Sequence, residues 1–437
     1  MRHIASARML FCMVTFVCDD KAVEKTLRKL HRLVLDNGGI VYDGLSIGCK
    51  DGNLIITAPP EKNDRECILL LPKKCLLPID KFEWALRGDT IQILSRDESL
   101  TEGQVALMDG MVELYNQTGK IADHKKTSIF ALHYEDPDLL QHLLKGRSPG
   151  AFAFLNDAER YDKDLFLLRS FFKTRVLGFK KPGGAAEGKP PAREQVLMPI
   201  VDFINHHPSA TGFFTNFGDG LPEIGADKAS DESADVDGDD GVAVMKSCPV
   251  EGSADCFVSY VPYDAMDSMV YYSYVEWYSR MVRSVPVQIT LPGVGTVDIR
   301  SVTGREQVKN LPAEVKAMSY YLPHMVFDPD KKSVELAFIY IPQPHAPRSM
   351  RRVLGLAIQR LAPELDEREL WACVLEAEKK IIAANMAYFT GLERAMKKYK
   401  AAPRTRLIVD NIQAMAAIQL DKIKQYPFFE EAGGPKA

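Results

Sequence analysis

One stretch constrains this chain more than any other: Val196 to Pro208, VLMPIVDFINHHP. Its apolar run (Val196, Leu197, Met198, Ile200, Val201) reads as a strand that needs a core on both sides. The run ends in Asp202, Phe203, Ile204, Asn205 and His206, so hydrogen-bonding side chains gather at the strand's mouth. A second stretch answers it, Cys256 to Val275, CFVSYVPYDAMDSMVYYSYV, which reads as a strand followed by a tyrosine-bearing helix. Together they read as two halves of one small-molecule site. Taken alone, D-x-x-N-H is short, and a strand end capped by polar residues is an equally good reading.

Composition removes several alternatives. At 437 residues the chain has room for two or three domains, each able to bury a core. A net charge of -4 gives no basic footprint, which argues against nucleic acid as a partner. The eight cysteines (Cys12, Cys18, Cys49, Cys67, Cys75, Cys248, Cys256, Cys373) form no C-x-x-C pair. That spacing disfavours a zinc site and a disulfide scaffold, and points to a reducing compartment, the cytoplasm. Met9 to Cys18 is apolar behind Arg2 and Arg8, but Asp19-Asp20 follow without a small-residue cleavage pattern. A buried strand or helix is therefore expected there rather than a signal peptide. No stretch reads as membrane-spanning, so no membrane partner is expected.

Along the chain, Val23, Leu27, Leu30 and Val34 share a helical face, and Asn37-Gly38-Gly39 supply a stop. Strands are expected within Ile40–Ile47, Asn53–Ala58 and Ile68–Leu71, an α+β opening. From Asp80 to Asp164 the pattern turns mostly helical, with Val105, Met108, Met111, Val112 and Tyr115 on one face and Leu139, Leu140, Leu143 and Leu144 on another. Leu165–Phe172 continues as a helix, and a Gly-, Pro- and Lys-rich loop (Lys180 to Glu194) precedes the central stretch. Strands are expected at Val242–Met245 and Cys256–Tyr260, a helix at Asp264–Tyr278, and a hairpin around Pro292-Gly293-Val294-Gly295. Asp366 and Glu369 make a capping box before the stripe Leu370, Val374, Ala377, Ile381, Ala384, and Leu407–Tyr426 reads as a further amphipathic helix.

Three local motifs carry less than they promise. Gly44-Leu45-Ser46-Ile47-Gly48 matches the G-x-S-x-G nucleophile elbow, but Cys49–Ile56 reads as turn and strand where a helix should follow. A glycine-permitted strand turn is the better reading. His206-His207 point to opposite faces of an extended chain and do not jointly chelate a metal, so none is expected. The acidic segment Asn216–Val242 contains DVDGDDG, yet counting from Asp235 the sixth and twelfth places hold Asp240 and Lys246 instead of Gly and Glu. A solvated loop is the expectation.

The order of the remaining motifs resembles the SET-domain protein methyltransferases, in particular the Rubisco large-subunit methyltransferase branch. That branch carries D-x-x-N-H, a strand ending S-Y-G, then N-x-E-L-L-L and Y-G-F. Asp202, Asn205 and His206 match the first, Ser259-Tyr260 the second, and Tyr272 falls on the tyrosine of Y-G-F. Asp43-Gly44-Leu45-Ser46-Ile47 resembles the E-G-L-G-L turn, Ile68–Leu76 the V-P-K-x-L strand, and Thr174-Arg175 the S-R or T-R pair. The chain departs from the pattern at Ser46, Val261, Ala265 and Ser273-Tyr274.

The resemblance implies an α+β fold: a SET-type β-fold of short strands with a pseudoknot, a helical insertion and a mainly helical C-terminal domain. The segments are then 1–84 and 165–282 for the SET domain, 85–164 for the insertion and 283–437 for the C-terminal, substrate-docking domain. It implies S-adenosyl-L-methionine as cofactor and a protein side-chain nitrogen, typically lysine, as acceptor. Tyr272 takes the catalytic place and Tyr260 the second channel place. Asn205, His206 and Asp202, with Asp43, Gly44, Ser46 and Arg175, take cofactor-binding places. The aromatic residues Phe213, Phe214, Phe217, Tyr271 and Tyr274 are candidates for channel walls. The competing expectation is the same fold with a degraded site, serving as a protein-interaction module, which Ser46, Val261 and Ser273 favour. A serine hydrolase is the more distant alternative.

Overall fold

A six-residue strand, Cys67–Pro72, buried from Ile68 onward, is the spine of the N-terminal half. It pairs antiparallel with Ile40–Val41 on one edge and Gly241–Met245 on the other. Its continuous apolar sequence, CILLLP, suits a strand covered on both faces. The computed structural model describes residues 14–42, 44–58, 66–180, 193–215, 241–260, 263–300, 325–337, 339–342 and 347–426. The chain packs as two compact units, both discontinuous in sequence. The first comprises Met1–His124 and Asp164–Pro262, the second Lys125–Lys163 and Tyr263–Ala437.

In the first unit, helix Lys21–Asp36 starts where the Asp20 carboxylate accepts from the Ala22 N–H at 2.6 Å. It buries Val23, Leu27, Leu30 and Val34, the face the 3.6-residue spacing requires. Helix Glu102–Gln117 opens on a reciprocal Thr101–Gln104 capping box and lies against it. A Cβ at Gly110 would stand 2.6 Å from Leu30 Cδ2, so the two helices approach where there is no side chain. Strand Ser46–Lys50 pairs parallel with Thr15–Cys18 and antiparallel with Asn53–Thr57. The second pairing closes through Asp51 (φ 51°) and Gly52 (φ 74°), the two positive-φ positions a tight hairpin needs. Thr15–Cys18 is an edge strand with Val17 exposed, not the buried element expected from its apolar composition.

The mostly helical reading from Asp80 onward is corrected at its start. Phe82–Arg87 and Thr90–Arg96 form an antiparallel hairpin around Gly88 and Asp89. Gly88 sits at φ 60°, and the buried set Phe82, Leu86 and Ile91 alternates with exposed neighbours. The helical pattern begins only at Glu102. Arg193–Leu197 pairs with Val176–Lys180 and with Leu77–Pro78, which delivers the chain to Asp202.

In the second unit the residues before helix Lys163–Lys173 and the C-terminal segment belong to one body. A four-stranded sheet has the order Val287–Leu291, Gly295–Arg300, Ser333–Ala337, Met325–Asp328, the first two joined by the expected hairpin. Helices Pro347–Leu361, Glu367–Lys398 and Arg406–Lys424 follow, so the C-terminal segment is mainly helical after opening on strands. Glu367–Lys398 starts at the Asp366–Glu369 capping box. Among the described residues no helix is long and apolar enough to cross a membrane, and the cysteines are free thiols. The segments 181–192 and 216–240, which hold most of the Lys180–Glu194 loop and of the acidic stretch, lie outside the described residues.

One cluster of four buried charges lies in the core of this unit. The fully buried Arg147 donates through Nη2 to both oxygens of Asp264 at 2.8 Å and through Nε to Asp267 at 2.7 Å. Arg283 Nη1 donates to the other Asp267 oxygen at 3.0 Å, and Gln419 Nε2 to Asp264 at 2.6 Å. Removing one partner leaves an uncompensated buried charge, which costs about 3–5 kcal/mol. Asp267→Ala is therefore expected to lower the stability of the full chain by that amount in urea unfolding; a loss under ~1 kcal/mol would contradict this account.

Candidate functional site

The chain leaves strand Arg193–Leu197 through a backbone feature absent from the sequence reading. Ile200 adopts φ 66°, ψ -46°, and the Val201 N–H donates to the Pro199 carbonyl at 2.7 Å. This is the γ-turn of positive φ, a strained form for a β-branched residue. Ile200 is held there by burial and by the next hydrogen bond, Asp202 N–H to the Met198 carbonyl at 3.0 Å. One 3-10 turn, Val201–Phe203, then presents Asn205 and His206.

Asn205–His206 pairs parallel with Phe257–Val258, so the first stretch meets the beginning of the second in the first unit. His206 Nδ1 accepts from the Tyr260 N–H at 3.0 Å, and the Tyr260 hydroxyl donates to the Ile204 carbonyl at 2.8 Å. The His206 and Tyr260 rings lie 5.1 Å apart, and Phe213 stacks on Tyr260 at 6.1 Å. Because Nδ1 accepts, the ring proton of His206 sits on Nε2. Burial lowers its pKa to about 4, with His207 adding to the effect, so the imidazole is neutral near pH 7. The Asn205 side chain is exposed, with donor and acceptor both available to solvent.

Beneath this lies a charged block. Asp202 Oδ2 accepts from Arg175 Nη1 at 2.9 Å and from the Tyr115 hydroxyl at 2.8 Å. The Arg175 guanidinium lies 4.5 Å over Phe171 and 5.3 Å over Tyr115. Burial raises the Asp202 carboxyl above its ordinary range even though Arg175 pulls it down, and burial pushes the Tyr115 phenol well up. Asp202 thus fixes Arg175. Tyr115 was visible in the sequence only as part of an apolar helical face; a phenol inside such a stripe, needing a partner for its hydroxyl, is the signal for its role.

Ser46 opens strand Ser46–Lys50, in register with Thr15 and Thr57, and is half-buried; Gly44 precedes it at φ 77°. The strand runs straight into the Asp51-Gly52 turn, so Ser46 is not on a nucleophile elbow. Asp43, Phe217 and Val261 lie outside the described residues. Among the described residues, no group of three or more His, Cys, Asp or Glu side chains could hold a metal.

Tyr272 belongs to the second unit. Its helix is shorter than expected, Ala265–Tyr272, capped by the Asp264 carboxylate on the Asp267 N–H at 2.7 Å. It stops because Ser273 takes the left-handed conformation, φ 64°, ψ 24°, its N–H bonding the Met269 carbonyl. The Tyr272 ring packs 5.7 Å from Tyr263 and 6.3 Å from Tyr274, and burial lifts its phenol to about 12.

No family model and no curated protein matches the chain. Among solved structures, the SET domain of LSMT bound to lysine and AdoHcy is similar over 93% of this chain and 94% of that one, at 11% identity and a TM-score of 0.41. Rubisco LSMT bound to AdoMet is similar over 92% and 94%, at 11% identity and a TM-score of 0.38.

Two measurements check this geometry. His206, and the buried His124 held near 3 beside Ser170, have folded pKa values below the ordinary 6.5, so the unfolded chain binds protons first. Their stabilisation is complete above pH 6.5 and is lost as pH falls toward 4. Urea midpoints should fall over that window, less steeply in His206→Gln; an identical slope in that variant would refute the His206 assignment. Ser273 pays for a left-handed backbone and buries a hydroxyl oxygen that has no hydrogen bond among the described residues. Ser273→Gly is expected to stabilise the protein by up to about 1 kcal/mol, and a destabilised variant would contradict the reading.

Proposed function

We propose that this protein transfers a methyl group from S-adenosylmethionine to a side-chain nitrogen of a non-histone protein, lysine by preference. The observation that supports it is the joining of D-x-x-N-H to S-Y: Asn205–His206 is zipped to Phe257–Val258, and His206 is bonded to the Tyr260 backbone. Two motifs that are individually weak make one hydrogen-bonded structure, in the order the methyltransferase resemblance requires.

The residues present fit such a donor molecule. The exposed Asn205 amide offers one donor group and one acceptor, and His206 is a neutral ring with fixed tautomer. Arg175, held by Asp202 and by two aromatic faces, carries a permanent positive charge suited to a carboxylate. Asn205 and His206 would hold the adenosine and amino-acid ends, with Gly44 and Ser46 contributing backbone, and Arg175 would meet the carboxylate. When bound, the sulfonium supplies an activated methyl group. The acceptor amine must be neutral, whereas free lysine has a pKa near ~10.4. Apolar and aromatic surroundings disfavour the ammonium, and a nearby positive charge acts in the same direction. Tyr260 and Tyr272 take the roles of orienting hydroxyls, and alignment alone contributes several kcal/mol. The C-terminal helices are assigned to docking of the protein substrate.

A second reading, the same fold as an interaction module without catalysis, is favoured by Ser46, which replaces the second glycine of the G-x-G turn in the resemblance and puts a side chain where that pattern has none. Transfer of radiolabelled methyl to proteins of a cell lysate separates the two. Calorimetry is expected to show saturable binding of S-adenosylmethionine, weakened about tenfold in Asn205→Ala, a hydrogen bond's worth. Absence of binding at high micromolar donor would remove the proposal. Tyr272→Phe should retain donor affinity and lose most methyl transfer; transfer at the parent rate would strip Tyr272 of its role.

A further inference from the structure

We propose that Cys248 and Cys256 form a reversible dithiol–disulfide site, closed by a small disulfide of the glutathione type, at the neck of the hairpin that leads into strand Phe257–Val258. The chain turns back on itself at Val250–Ser253, where Gly252 sits at φ 76° and the Ser253 N–H donates to the Val250 carbonyl at 3.1 Å. On the returning arm the Cys256 N–H points one way, to the Ile56 carbonyl at 2.8 Å. The Phe257 N–H points the other way, to the Ser247 carbonyl at 2.9 Å. The outgoing arm therefore lies along the returning one, in antiparallel sense.

The register follows from that second bond. An N–H···O bond between antiparallel segments joins residues that face each other, so Ser247 faces Phe257 and, one step nearer the tip, Cys248 faces Cys256. Such a non-hydrogen-bonded pair holds its Cα atoms about 4.5 Å apart, inside the ~4.4–6.8 Å that a disulfide spans. The two side chains share one face of the pairing. The Cys248 thiol is turned toward the returning arm, donating to the Ala254 carbonyl at 3.7 Å. Burial, and then Cys248 beside it, push the Cys256 thiol well up.

The two thiols are unequal, since Cys256 is buried and Cys248 is partly exposed. An oxidant in solution therefore meets Cys248 first. The Cys248 sulfur attacks one sulfur of oxidised glutathione, whose S–S bond breaks, and one glutathione leaves as a thiol. The Cys256 sulfur then attacks the Cys248 sulfur of this mixed disulfide, and the second glutathione leaves. Two protein thiols are oxidised, the two sulfurs of oxidised glutathione are reduced, and the protons lost by the cysteines end on the glutathiones. Burial keeps Cys256 protonated, which makes the second step the slower one. The new bond sits one residue ahead of Phe257, the partner of Asn205, so it staples the strand that holds the D-x-x-N-H segment. None of this depends on the methyltransferase reading.

The test uses the folded full chain, reduced, equilibrated in glutathione buffers, quenched in acid and alkylated. Cleavage after Lys246 and Glu251 places Cys248 and Cys256 on separate fragments. Those fragments are expected to stay joined after oxidation and to part on addition of dithiothreitol. At fixed oxidised glutathione, a tenfold fall in reduced glutathione should raise the ratio of joined to separate fragments about a hundredfold, because two glutathiones are released, whereas a mixed disulfide rises only about tenfold. Cys256→Ser should stop at Cys248 carrying one glutathione. Both thiols alkylated in the parent protein under fully oxidising buffer would overturn the proposal, with no variant needed. So would a first-power response to glutathione, or a disulfide mapped instead to Cys18 and Cys49, which face each other across the parallel pairing of their strands. An unmodified Cys248 in folded Cys256→Ser would overturn the assigned order of attack.

Discussion

A guanidinium with no access to water must find every partner in protein, and Arg147 is such a group. It comes from the stretch between the two halves of the first unit, and its partners Asp264 and Asp267 come from the far side of that unit in sequence. The bargain is all or nothing: paired on every side the charge is tolerated, and with one carboxylate missing it is not. Asp264 is committed twice over, since the carboxylate that meets Arg147 also caps helix Ala265–Tyr272. The helix that carries Tyr271 and Tyr272 is thereby fixed at its start by charge and at its end by the left-handed turn at Ser273. Its apolar face could slide; its N-cap cannot.

The first unit solves a different problem, that of holding two dipeptide strands together. Pairs as short as Asn205–His206 and Phe257–Val258 offer little ladder energy of their own. The extra restraint comes from a ring nitrogen taking a backbone N–H and a phenol returning to a carbonyl. The strained turn at Ile200 makes this possible by aiming the chain after Pro199 along a path no relaxed residue would take.

How much of this was legible beforehand depends on how far each interaction reaches along the chain. The face of helix Lys21–Asp36, the Asp366–Glu369 capping box and the Pro292–Gly295 hairpin are local, and local periodicity or capping reveals them. The D-x-x-N-H stretch and its partner were legible as a pair only because their order resembles a known pattern. The Arg147 cluster spans 117 and 120 residues, and nothing near Arg147 distinguishes it from a surface cation. Tyr115 was hidden for the opposite reason: it sits in a run whose apolar neighbours explain it well enough as core. The Phe82–Arg96 hairpin was missed because its alternation is short and was outweighed by the long helical pattern behind it.

Arg147 has one more consequence, and it concerns time. A ribosome adds roughly 5–20 residues per second, so the 117 residues that separate Arg147 from Asp264 correspond to about ten seconds of elongation. During that interval the arginine has been made and its acid partners have not. Its segment must therefore wait in water, or in the keeping of a chaperone, until the remainder of its own unit is translated.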